Sequence, residues 1–89
     1  MVHLIVIYDA KAERTRHYRT YLRRHLTHLQ QSVFEGDVTA GTADEIRETM
    51  DGLVSESAYD AAVVYEVSSQ SYLKREAYGD DPADDKHIL

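Results

Sequence analysis

Asp9 stands directly after an apolar run, Val2 to Tyr8. A carboxylate at the end of a buried strand is held rigidly, and hard cations such as Mg²⁺ take oxygen ligands in such a setting. One carboxylate is too few for a protein-only site. Two Asp9 side chains across a twofold axis would share one Mg²⁺ and its waters. An ion held that way activates water or stabilises charge on a phosphate, which makes Asp9 the catalytic and metal candidate. The competing reading is that Asp9 caps the helix that follows, since Asp is a favoured cap.

The second chemical feature is a basic island. Lys11, Arg14, Arg16, Arg19, Arg23 and Arg24 fall within fourteen residues, opposed only by Glu13. That segment is net +5 in a chain of net −6, so the remainder carries −11. Arg16, Arg19 and Arg23 step by three and four, which lines them up along one side of a helix. Arg14 falls elsewhere, in the first turn near Asp9. Arginine forks bind phosphate oxygens in pairs, so Arg14, Arg16, Arg19 and Arg23 are candidate nucleic-acid contacts. Such contacts are largely independent of base sequence. A solvated helix face with salt bridges to acidic neighbours is the alternative.

Other candidates are weaker. Gln31, Ser32 and Phe34 sit on an extended segment, and Phe34, the only phenylalanine, suits a core or interface plug. Ser32 has no histidine base in register, which argues against a nucleophilic serine. His25 and His28 are spaced like zinc ligands, but no carboxylate or cysteine joins them on that helix, so they read as core histidines. His3, His17 and His87 support no site. The four glycines are well separated, so no phosphate-cradling loop exists.

The elements that position these residues follow from periodicity. Val2–Tyr8 reads as a strand buried on both faces. Lys11 to about Leu29 reads as a helix, with Tyr18, Leu22, His25 and Leu29 on one face. Gln30–Thr39 is extended, with Gly36 as a bend or bulge. Thr42-Ala43-Asp44-Glu45 forms a capping box that opens a helix to about Ser57, with Ile46, Met50, Leu53 and Val54 at helical spacing. Tyr59–Val67 is a second buried strand. Ser68–Gln70 is a turn, and Tyr72–Tyr78 is a weak strand or short helix ended by Gly79.

This order is βαββαβ, the split βαβ pattern of a ferredoxin-like α+β domain. Both helices would cover one face of an antiparallel sheet. A second copy, packed sheet to sheet as a homodimer, is the simplest cover for the other. Residues 1–79 make this domain. Residues 80–89 make an acidic linker, Asp80–Asp85, followed by the apolar tip His87-Ile88-Leu89 as a C-terminal edge strand.

Composition sets the limits. A chain of 89 residues is one domain, and it buries too little surface to be very stable alone. The absence of cysteine excludes disulfides and thiolate metal sites. No apolar stretch approaches the ~20 residues that span a bilayer, and the chain opens directly on a strand. A soluble, cytoplasmic protein with no membrane partner is the expectation. Only three of ten basic residues are lysine against sixteen acids, a balance that suits a halophilic, salt-rich cytoplasm.

Taken together, several of these residues resemble a known family. Tyr8-Asp9 after an apolar strand, a basic helix, Gln30-Gln31-Ser32-Val33-Phe34-Glu35-Gly36, then Val63-Val64-Tyr65 is similar to CRISPR-associated protein two, the small adaptation nuclease. The likeness runs to about Gly79. It is nearest the subgroup with the QxSVFEG string, which Tyr72-Leu73-Lys74-Arg75-Glu76 also fits. The resemblance implies a ferredoxin-like homodimer with Asp9 from each subunit at the axis, able to hold Mg²⁺. It implies a dimer interface through Tyr8, Ser32 and Phe34, and a bridge between dimers of the CRISPR integrase that holds incoming duplex DNA. His87, Ile88 and Leu89 would dock on a neighbouring sheet edge or on the integrase.

Three functions are therefore open. The first is a DNA-bridging scaffold of spacer acquisition. The second is a Mg²⁺-dependent nuclease, in adaptation or as a toxin-like endoribonuclease acting on RNA. The third is a regulatory module that binds a small molecule at its dimer interface.

Overall fold

Val2–Asp9 forms the strand β1, whose side chains alternate between two faces. Leu4, Val6 and Tyr8 enter a core shared with Tyr18, Leu22, Phe34, Ile46 and Met50. His3, Ile5 and Ile7 take the other face. The structure, a computed structural model, describes residues 1–67.

The helix α1 spans Ala12–Leu22 and ends about seven residues earlier than the periodicity predicts. The chain turns at Arg23, and the amides of both His25 and Leu26 return to the Leu22 carbonyl. Leu26, not His25, then fills the core. Leu29 keeps helical spacing only by coincidence. It lies in β2, Thr27–Gln30, whose backbone bonds are made by pairing with β3, Val33–Val38. Gln31 links the two strands in a left-handed conformation, at φ 39°.

Gly36 is neither bend nor bulge. It pairs regularly with Leu4, and the irregularity lies between His28 and Gln30. A Cβ at Gly36 would stand 3.3 Å from Leu26 Cδ2, so the missing side chain lets Leu26 close over the sheet.

The helix α2 spans Ala40–Ser55 and begins three residues earlier than predicted. Thr39, not Thr42, is the cap, and its Oγ1 accepts from the Thr42 amide at 3.1 Å. Ala43, Ile46 and Met50 are buried along its inner face, with Leu53 and Val54 packed beside them. The last described strand, β4, runs Ala61–Val67. It is not buried on both faces. Ala62 and Val64 pack toward the core, whereas Val63 and Tyr65 are exposed. A sheet with helices on one side gives this alternation.

The sheet order is β2-β3-β1-β4, and every neighbouring pair is antiparallel. With helices after β1 and β3, this is the α+β arrangement the pattern predicts. Among the described residues, no helix is long and apolar enough to cross a membrane. The segments from Ser68 onward, including the proposed linker and the tip His87-Ile88-Leu89, lie outside the described residues.

Candidate functional site

Asp9 closes β1 and pairs in register with Ala61, the first residue of β4. Its carboxylate is exposed. It does not cap α1: the N-cap is Lys11, without a side-chain cap bond. The Tyr8 amide donates to the Ser32 carbonyl at 3.1 Å, which pins the β2–β3 turn beside Asp9. Asp9, Thr15, Arg19, Gln31 and Ser32 thereby line one open cleft of about 330 Å³. Thr15 and Arg19 are one helical turn apart on α1, so both reach the same rim.

The stripe of arginines divides. Arg19 faces the Asp9 cleft. Arg16 and Arg24 line a second groove of about 440 Å³ with His17, Thr20 and Tyr21. Arg23 is exposed, and its charge together with that of Arg19 reaches Tyr8. Burial pushes the Tyr8 phenol up, against the pull of those two arginines. Among the described residues, Arg16, Arg19, Arg23 and Arg24 form no ion pair, whereas Arg47 is held by Asp44 and Glu66. These guanidinium groups, on α1 and the turn that follows it, are unpaired among the described residues and can take phosphate oxygens.

Arg14 is not part of this surface. Its Nε donates to Asp60 Oδ2 at 2.6 Å and its terminal nitrogen donates to the Leu53 carbonyl at 2.7 Å. The Tyr18 hydroxyl donates to the same Asp60 oxygen at 2.6 Å. Burial raises the Asp60 carboxyl, but the hydrogen bonds from Tyr18 and Arg14 outweigh it and hold the group below its ordinary value. Arg14 is therefore a clasp between α1 and the start of β4, and a phosphate would have to displace a bound carboxylate to reach it.

Tyr8 and Phe34 are likewise taken up inside the chain. Both are buried, and the Tyr8 ring stacks on Tyr18 at 4.8 Å and lies 6.2 Å from Phe34. Apolar rings on the helix side of the sheet serve the core, so the interface assignment from resemblance is corrected for these two. Ser32 is half-buried at the rim of the Asp9 cleft. His28 stacks on Phe34 and donates through Nε2 to the Gln31 carbonyl at 2.5 Å. His25 lies 3.3 Å from Glu45. The two histidines do not share a helix, and both serve the fold.

Sequence reasoning missed three residues. Asp60 gave no signal beyond one acid before an apolar strand. Lys11 reads only as part of the basic island and Tyr59 only as the start of a strand, and nothing signals that they meet: the Lys11 ammonium sits 4.1 Å from the Tyr59 ring centroid.

The fit to a metal is partial within one chain. Among the described residues, no group of three metal-ligating side chains exists. Asp9 supplies one carboxylate, and Thr15, Gln31 and Ser32 add neutral oxygens along the cleft. One carboxylate with neutral oxygens is too few for a protein-only site, and Mg²⁺ bound there would have to keep several waters.

Comparison with known proteins gives one consistent answer. Residues 1–75 match the family model described as CRISPR associated protein Cas2. The chain is 39% identical over 77 residues to the CRISPR-associated endoribonuclease Cas2 of Haloferax volcanii, covering 86% of this chain and 87% of that one. It is 36% identical to the protein of the same name from Thermococcus kodakarensis, covering 88% of each chain. A crystal structure of Cas2 superposes with a TM-score of 0.78 at 25% identity, covering 90% of this chain and 88% of the other.

Proposed function

Since this chain belongs to the CRISPR-associated Cas2 family, we propose that it serves spacer acquisition as a homodimer that holds nucleic acid, with Asp9 as its catalytic carboxylate. The observation that carries this reading is the cleft at the end of β1, lined by exposed Asp9 and by Arg19, which forms no ion pair among the described residues.

Arg19 supplies a fork for a backbone phosphate, and Arg16 and Arg23 extend the contact along α1. Asp9, from each subunit, orients the oxygens around the phosphate to be attacked. A bound Mg²⁺, shared by the two Asp9 carboxylates, would supply charge neutralisation for phosphodiester hydrolysis. The exposed side chains of Val63 and Tyr65 on the face opposite the helices suit a sheet-to-sheet dimer. In acquisition the dimer would bridge two integrase dimers and hold duplex DNA, with His87-Ile88-Leu89 as the docking tip. The names of the relatives favour RNA as the cleaved substrate.

The test is a cleavage assay in concentrated potassium chloride, with and without Mg²⁺, on single-stranded RNA and duplex DNA. Cleavage that requires both Mg²⁺ and Asp9, and is absent in Asp9→Asn, is the expected result. A folded dimer that binds duplex DNA but cleaves nothing would overturn the catalytic assignment. The scaffold reading would then stand alone, favoured by the lack, among the described residues, of any group of three side chains that could hold a metal.

A further inference from the structure

We infer that Tyr59 and Lys11 form a stacking platform for one unpaired nucleobase beside Asp9, which directs the site toward single-stranded nucleic acid. The inference rests on the reading of Asp9 as the reactive end of the cleft, and it names the strand state that the cleft accepts.

Tyr59 is 70% exposed, the most exposed aromatic of the described residues. Its backbone is nevertheless fixed on both sides. Its amide donates to Ser57 Oγ at 3.2 Å. The next residue, Asp60, is buried and held by Arg14 and Tyr18. The ring is thus presented to water from a rigid base.

Lys11 sits over one ring face at 4.1 Å, and no other contact to the ring is seen among the described residues, so the ring stays largely exposed. An ammonium on one face polarises the ring and places a positive charge within reach of a phosphate. The placement ties the pair to the site. Ala61 is the register partner of Asp9, so Tyr59 lies two residues before that partner and Lys11 two residues after Asp9 itself. The platform and the carboxylate share one end of the sheet, and Arg19 lines the cleft with Asp9.

This arrangement matches the way proteins grip single strands: cations follow the backbone and an aromatic ring takes a base. Every base has a π-face, so the platform is tolerant of sequence. A duplex keeps its bases stacked internally and offers none to the ring. A strand whose phosphate meets Arg19 in the Asp9 cleft has an unpaired base free to reach Tyr59 at the same end of the sheet.

The chain contains no tryptophan, so Tyr59→Trp installs a single reporter. Binding is followed with EDTA present, so that no cleavage is needed, using a short single-stranded oligoribonucleotide and a duplex DNA. The single strand should quench the reporter and the duplex should leave it bright. Tyr59→Ala should weaken single-strand binding by about 5- to 150-fold, the range for loss of one base–aromatic stack. It should leave duplex binding within about twofold, and Tyr59→Phe should restore the single-strand affinity.

A reporter that stays bright at saturation would overturn the platform. So would an equal loss for both nucleic acids, no single-strand binding by the wild type, or a Tyr59→Ala chain that changes its sedimentation and not its binding. Quenching in a protein that cleaves nothing would leave the platform standing and remove only the catalytic role of Asp9. Asp9-dependent cleavage without quenching would do the reverse.

Discussion

Arg14 Nε meets Asp60 Oδ2 at 2.6 Å across 46 residues of sequence. Tyr18 bonds to the same oxygen and stacks on Tyr8, the residue before Asp9. The clasp thus joins α1 to β4 and also buttresses the strand end that presents the carboxylate. Arg14→Ala should lower Tm by several degrees, because it leaves the Asp60 carboxylate buried without its cation. Arg16→Ala, at an exposed position, should leave Tm nearly unchanged. Thermal unfolding followed by circular dichroism separates them, and equal midpoints would refute the clasp.

The same cluster sets the pH limits. The folded Asp60 carboxyl lies below its ordinary 3.8, so its contribution to stability is present above that value and is lost as pH falls through the folded one. Tyr18 behaves oppositely. Burial, then the hydrogen bond to Asp60, pushes its phenol from 10.0 up to about 12. A group raised on folding stabilises below its unfolded value, so this contribution is lost as pH climbs from 10 to about 12. Tyrosinate absorbance against pH should show late-titrating phenols, and Tyr18→Phe should remove the one at about 12 while the raised Tyr8 phenol stays. A phenol population that titrates entirely near 10 would contradict the buried network.

How far the sequence reveals this arrangement depends on whether the relevant force is local. The strand Val2–Asp9 and the inner face of α2 announce themselves, because side-chain periodicity reports which face is buried. The end of α1 does not. Leu29 repeats the helical spacing, and only the pairing of Thr27–Gln30 with β3 decides against it. The basic stripe is legible, but the fate of Arg14 is not, since its partner lies on another element and no spacing rule connects them. Asp9 is legible as an end-of-strand carboxylate. The Lys11–Tyr59 contact is invisible for the same reason as Arg14–Asp60: sheet register, not sequence distance, brings the two together.

Phe34 and Tyr65 separate the core from the proposed interface. Phe34 is fully buried against Tyr8 and His28, so Phe34→Ala should destabilise the chain by about 3–5 kcal/mol in urea unfolding. Tyr65 is 42% exposed on the face opposite the helices. Tyr65→Ser should leave the folded chain intact and shift sedimentation toward the monomer. A Phe34→Ala chain of unchanged stability, or a Tyr65→Ser dimer as tight as wild type, would reverse the two assignments.

Arg19 gives the sharpest test of the basic surface. Net charge of −6 repels a polyanion at low salt, and at molar salt the screening length falls to ~3 Å, so long-range steering is weak in either case. Binding then depends on close contacts, each of which releases about one counterion from the nucleic acid. Arg19→Gln should therefore weaken binding and reduce the slope of log affinity against log salt by about one. Arg14→Gln should leave that slope unchanged, because its guanidinium is already bonded to Asp60 and Leu53. If both substitutions reduce the slope alike, Arg14 leaves its clasp to meet the phosphate, and the division of the stripe fails.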